Sequence, residues 1–595
     1  MTSIENNNIT GILKNIPKEV IGKLGISPVY NESDNIELII LVGENTETVK
    51  QKVEAFNGKF EDLGYGYAIV EILISQIVLL AQIPEVQYIE FPKSLYYTDS
   101  LSNKVSCVDW ARSQYGLYGR GVLIGFIDTG IDYTNLAFRN SDGTTRIEYI
   151  YDLSSSGEVY GKDQINQALK EKDPYSVVPS QDIIGHGTHV AGIACAGGNI
   201  PKEYYGVAPE SSIIMVKSGR GLFSLSTNII KGLKFLIDKS NELKMPLVIN
   251  ISLSTNDGAH NGTSLLEQYI STISKSERVT IVIAAGNEGN ASHHIGGNLT
   301  ETTVINFSIS GDETYVIMNL YKSILPQISI EIISPRGVGT GEIVIREGLV
   351  EGVVSGNRYR IYNTGPKPFD ISGEIGISLV NDSYYILEGV WTLKIRLLNK
   401  YKGIYDMWLP ISEGLNKNTK FLSPTIDGTL GIPATVSNII SVGSYNPVSK
   451  TISPFSGRGR NSPLYDETEP TIVAPGEDII APVPNGVYAR KTGTSMAAPH
   501  ISGISALLME WGILKGNDNY LYGERLKYYM ILGAKKERTD VEYPNTSWGY
   551  GEACIEETIK RLIDSLGVPQ PNRIFIRLPN DGVINDRKIK FEPIL

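Results

Sequence analysis

The sequence predicts an α/β fold, a mostly parallel β-sheet flanked by helices, preceded by a small α+β domain and interrupted late by an all-β, jelly-roll-like domain. Continuous apolar runs of buried-strand length, such as residues 122–127 and 281–285, stop within two residues of a polar Asp128 or Asn287, the pattern of strands covered on both faces. Segments of small and apolar residues at 190–194 and 501–508 read as helices packed on that sheet. Between about 298 and 424 the pattern changes to many short strand-like runs, the spacing of a β-sandwich.

Taken in chain order, the first unit reads strand-like at 36–42, helical at 44–57, strand-like at 65–73, helical at 75–83 and strand-like at 86–91. This is close to a β-α-β-β-α-β order, one strand short. The next apolar run, 122–127, delivers Asp128 to a strand's carboxyl end, where open α/β sheets place their sites. Residues 153–180 then lengthen the link to the next motif as a polar surface excursion. That motif is Gly185-His186-Gly187-Thr188-His189-Val190-Ala191-Gly192, with His186 opening a buried helix. After the strand-like inserted residues the sheet resumes at 439–443 and 471–476. Ser495 follows in Gly493-Thr494-Ser495-Met496-Ala497-Ala498-Pro499-His500. It is expected to cap a helix whose Pro499 lies in the first turn.

A serine hydroxyl becomes nucleophilic when a neutral imidazole takes its proton and a carboxylate fixes the imidazole's tautomer. Asp128, His186 and Ser495 supply those three groups, and a helix start at Ser495 favours the negative charge that acyl transfer develops. The strand 280–285 ends at Gly286 and Asn287, an amide that can donate to that charge. An Asp at a strand end is elsewhere a turn residue, and His186 with His189 elsewhere a metal pair, but no third ligand accompanies them within that segment.

The chain resembles the subtilisin-like serine proteases, through these three motifs in the order Asp, His, Ser. The resemblance implies catalytic Asp128, His186 and Ser495, a structural His189, and Asn287 donating to the oxyanion beside the Ser495 amide. It implies substrate binding by Ser252, Leu253 and Ser254 and by Ala284, Ala285 and Gly286. Here the familiar Ser-Leu-Gly-Gly reads Ser252-Leu253-Ser254-Thr255, bulkier at the pocket wall. The resemblance divides the chain into a propeptide at 1–97, catalytic parts at 98–298 and 425–567, the insertion at 299–424, and a tail at 568–595. The expected cut lies within residues 94–103. An unrelated ferredoxin-like module is the alternative for the first unit, and bracing or carbohydrate binding are alternatives for the insertion.

Composition bounds the rest. With 595 residues, 41% hydrophobic and 20% charged, the chain has the profile of a multidomain globular protein. A net charge of −11 argues against nucleic acid or an anionic membrane as partner. Cys107, Cys195 and Cys554 are too few and too odd in number to suggest a disulfide framework, which favours an intracellular setting. No basic start with an apolar core marks a signal peptide, and the apolar stretch at 68–83 is too short to cross a bilayer. No cofactor is required by the chemistry, no EF-hand-like acidic loop occurs, and a structural calcium is left unassigned. The whole architecture is similar to the Csp germination proteases of clostridial spores, which implies a propeptide that stays bound and, as substrate, the zymogen of a spore cortex-lytic enzyme. A noncatalytic signalling scaffold and a general peptide-degrading enzyme are the alternatives.

Overall fold

The computed structural model describes residues 35–97, 106–460 and 469–566, apart from 44, 91, 93, 220, 222, 368–369 and 382–383. The tail at 568–595 with its strand-like run, residues 1–34 and the stretch 98–103 lie outside the described residues.

A nine-stranded sheet organises the catalytic unit. Its strands Ile147–Asp152, Ser212–Lys217, Leu123–Asp128, Leu247–Ile251, Val279–Ala284 and Ile440–Asn446 lie side by side in parallel, and Ile472–Pro475 pairs in parallel with the last. Alternating residues serve two cores. Ile124 and Phe126 face the helices His186–Cys195 and Thr494–Met509, while Leu123 and Ile127 face Ser226–Leu243 and Leu265–Ile273. Burial on both faces explains why these strands are apolar throughout.

The excursion at 153–180 does more than cross the surface. Its strand Glu158–Gly161 pairs antiparallel with Ile147–Asp152 and extends the sheet by one edge strand. Its helix Lys162–Ala168 buries Ile165 and Ala168.

The first unit contains the strand that the pattern lacks. Lys59–Gly64 pairs with Tyr67–Leu73, giving a four-stranded sheet completed by Asn35–Val42 and Val86–Glu90. Tyr65 and Gly66 turn the hairpin with φ of 56° and 83°, the left-handed pair of a tight hairpin turn. Lys59-Phe60-Glu61-Asp62 is charged and mostly exposed, which hid the strand from a reading of apolar periodicity. This sheet lays Ile39, Leu63, Tyr67, Ile69 and Tyr88 on the helices Ser226–Leu243 and Leu265–Ile273. Glu37 pairs with Lys231 and accepts from Thr227 Oγ1, and buried Glu90 accepts from the Leu265 N–H at a helix N-terminus.

The insertion is two antiparallel sheets of six and five strands around Phe307, Leu320, Ile377 and Trp391. Its six-stranded sheet begins at His294–Asn298, ahead of residue 299, where the insertion was expected to start. It is fastened to the catalytic unit by Asn319 Nδ2 on Asp257 Oδ1, Asn256 Nδ2 on the Leu409 carbonyl, and His260 stacked 4.2 Å from the Trp408 ring.

One expectation is overturned. Cys107 and Cys554 form a disulfide across 447 residues of sequence, joining the start of helix Val108–Tyr115 to the start of helix Ile555–Leu566. Such a separation leaves no spacing signal, because only the packed fold brings the two helix starts together. Cys195 is a buried free thiol.

Candidate active site

Three neighbouring strands end at one edge of the sheet and each delivers part of the site. Leu123–Asp128 ends on Asp128, Leu247–Ile251 leads to Ser252, Leu253 and Ser254, and Val279–Ala284 leads to Ala285, Gly286 and Asn287. The helices opening near His186 and Ser495 pack against each other over the sheet.

His186 Nδ1 donates to Asp128 Oδ1 at 2.7 Å, with both side chains buried. The Thr129 N–H donates to the same oxygen at 2.7 Å, so the carboxylate is held where it fixes the imidazole's tautomer. Gly187 is required here, since a Cβ would lie 2.2 Å from the Gly130 carbonyl and 3.0 Å from Asp128 Oδ1.

Ser495 is the second residue of its helix rather than the cap, which is Gly493, and Pro499 therefore falls in the second turn. A proline there has no N–H for the carbonyl four residues back, and that carbonyl belongs to Ser495. Ser252 Oγ donates to it at 3.2 Å, while Ser495 Oγ donates to the Ser252 carbonyl at 3.2 Å. Ser252 is held in turn by Asn250 Nδ2, and Asn250 Oδ1 accepts from Ser502 Oγ.

Asn287 is oriented by its neighbour. The Thr494 N–H and Oγ1 both donate to Asn287 Oδ1 at 3.0 Å, which occupies the acceptor end of the amide at the residue preceding Ser495. Glu288 anchors this segment to the insertion, accepting from Ser412 N–H and Oγ and bonding His293 Nδ1.

The cleft is occupied by the chain itself. Strand Ser94–Tyr97 pairs antiparallel with Leu253–Ser254 on one side and Phe223–Leu225 on the other. Ser254 narrows the adjoining space, for a Cβ on Gly286 would meet Ser254 Oγ at 3.2 Å and one on Gly431 would meet Ser254 Cβ at 2.8 Å. Below it, Thr255 and Ile432 exchange backbone hydrogen bonds at 2.9 Å.

His189 stands apart, buried with Nε2 against the Ile479 and Ala489 carbonyls, and burial lowers its pKa to about 3. Asp182, Thr129, Thr494 and Asn250 belong to the site and were not singled out from the sequence. The single visible signal was Asn250, a polar residue inside an apolar strand.

The subtilase family model matches residues 119–371 and 414–551. The chain belongs to the subtilase family. Its catalytic unit is that of a serine endopeptidase, and the Csp protease B prodomain model matches residues 5–93. The solved structure of the Clostridium perfringens CspB protease is 51% identical, with a TM-score of 0.75, covering 78% of this chain and 99% of that one. The minor extracellular protease Vpr of Bacillus subtilis is 24% identical over 580 residues, covering 86% of this chain and 62% of Vpr. The PII-type proteinase of Lactococcus lactis subsp. cremoris is 23% identical over 534 residues, or 81% of this chain and 27% of that protein. The matched parts thus span from about a quarter to three-fifths of these curated relatives.

Proposed function

We propose that this subtilase cuts its own propeptide within residues 94–103 and then acts on one protein substrate, the zymogen of a spore cortex-lytic enzyme, during germination. Asp128 orients His186, His186 takes the Ser495 proton as Ser495 Oγ attacks the carbonyl carbon, and Asn287 Nδ2 with the Ser495 amide holds the oxyanion. His186 then returns the proton to the leaving amine, and water releases the acyl group. These steps use side chains and backbone alone.

The observation that carries this reading is strand Ser94–Tyr97 lying between Phe223–Leu225 and Leu253–Ser254 as an added β-strand, the binding mode of an extended peptide substrate. The likeness to the CspB protease supports placing the chain among the Csp proteases, whose resemblance implies the germination setting. A cleft filled by the chain's own strand suits a narrow, regulated target better than general peptide degradation.

Intact mass of purified wild type and Ser495→Ala is the test. Cleavage within residues 94–103 is expected in the wild type and absent from the variant, and the processed enzyme is expected to convert a purified cortex-lytic zymogen. Identical full-length masses would refute the protease reading, and an unconverted zymogen would refute only the substrate.

A further inference from the structure

Four residues before His186, Asp182 is a buried carboxylate at the start of the helix His186–Cys195. Its Oδ1 accepts from Thr129 Oγ1 and from the Gly185 N–H, both at 2.8 Å. Its Oδ2 accepts from the Thr188 N–H at 2.8 Å and Thr188 Oγ1 at 2.6 Å. Both ends of this network reach the Asp128–His186 pair. Thr129 adjoins Asp128 and accepts from the Gly187 N–H at 2.8 Å, while Thr188 Oγ1 accepts from the Asp132 N–H at 2.9 Å. One carboxylate therefore ties the end of the Asp128 strand, the loop at Asp132 and the first turn of the His186 helix into a single unit.

The location also matters electrostatically. An imidazole at a helix N-terminus sits in a field that opposes its protonation, yet it must become imidazolium when it takes the Ser495 proton. A carboxylate accepting from the first turn of that helix offsets the field. The four donors around Asp182 match an ionised carboxylate, although burial raises its pKa.

We propose that Asp182 is a positioning residue for the triad, holding Asp128 and His186 in register through Thr129 and Thr188 and supplying the negative charge that lets His186 accept the Ser495 proton. This rests on the triad reading given above. Charged or titratable groups near this network include Asp128 itself, Asp132, His189, Lys217, which runs alongside Gly130 and pairs with Asp152, and Lys491, whose Nζ donates to the Gly185 carbonyl. Asp182→Asn leaves all of them in place.

The test is peptide hydrolysis by the processed enzyme across pH, comparing wild type with Asp182→Asn and Thr129→Val. Asp182→Asn is expected to lower kcat about 100-fold with little change in KM, and to move the acid limb of kcat/KM down by about one pH unit as the imidazolium loses support. Thr129→Val removes the hydroxyl link and keeps the charge, so it is expected to lower kcat without moving the acid limb. Should Asp182→Asn fail to fold, Asp182→Glu, which keeps the charge and changes its reach, is expected to lower kcat with the acid limb unmoved, and an acid limb that moves in Asp182→Glu as well would overturn the charge role. An active wild type with an unmoved acid limb in Asp182→Asn would overturn this proposal alone. An inactive wild type would overturn the triad reading with it.

Discussion

Ser252 and Ser495 are reciprocally bonded, each hydroxyl donating to the other's carbonyl at 3.2 Å. Pro499 makes this possible by leaving the Ser495 carbonyl without its helical donor. The nucleophile's helix is thereby pinned to the strand edge that also pairs with Ser94–Tyr97. Ser252→Ala is expected to remove the hydroxyl's bond to the buried Ser495 carbonyl, at a cost of about 0.5–1.5 kcal/mol, and to slow propeptide release by roughly tenfold. Timed mass spectrometry of refolding protein reads this, and an unchanged rate would show that Asn250 and Ser502 do not act through Ser252.

Asn287 has its acceptor end occupied by Thr494, so replacing it removes a preset donor. Asn287→Ala is expected to reduce turnover by about 100- to 1000-fold, the range known for this type of donor from subtilisin itself. Asn287→Asp, which turns the donor into a repelling carboxylate, is expected to be worse. Turnover of a peptide substrate at saturating concentration distinguishes these from a loss of binding.

Three buried histidines set an acid limit to stability. Burial lowers His189 and His260 to about 3 and His500 to about 4, from 6.5. The unfolded chain therefore binds more protons below pH 6.5, and stability falls with pH from there down to about 4. Each histidine contributes up to about 1.4 kcal/mol per pH unit in that window. Melting temperature is expected to hold near pH 7.5, to fall between about pH 6.5 and 5, above most carboxylate titration, and to fall less in His260→Gln. A flat profile would mean that these rings protonate inside the fold.

The Cys107–Cys554 bond closes a loop of most of the catalytic unit. Its removal in Cys107→Ser is expected to lower stability by about 2–5 kcal/mol. Denaturant unfolding with and without reductant checks this: wild type in reductant should match Cys107→Ser in either condition.

Legibility in the sequence followed the range over which each signal acts. Asp128, His186, Ser495 and Asn287 lie in short motifs whose neighbours are small because backbones and helices approach closely there, as at Gly187. The central strands were visible because burial on both faces leaves them apolar. Lys59–Gly64 and Glu158–Gly161 are mostly exposed, polar and short, and carry no such periodicity. Ser495 was expected at the cap; Gly493 takes that place and the helix starts at Thr494, a shift of two residues that propensity does not resolve.

By itself the sequence determined the subtilase family, the three short motifs that carry Asp128, His186 and Ser495, the double burial of the sheet and the presence of a β-rich insertion. These are local properties, written in runs of ten residues or fewer. Tertiary structure alone decided that Asp182 holds Thr129 and Thr188 together, that Ser252 meets the Ser495 carbonyl, that Cys107 reaches Cys554 across 447 residues, and that Phe223–Leu225 flanks Ser94–Tyr97 opposite Leu253–Ser254. Each joins segments far apart in the chain, since Asp182, six residues from Thr188, also reaches Thr129, 53 residues back. Its existence depends on the packing of whole strands and helices, and no local pattern encodes that.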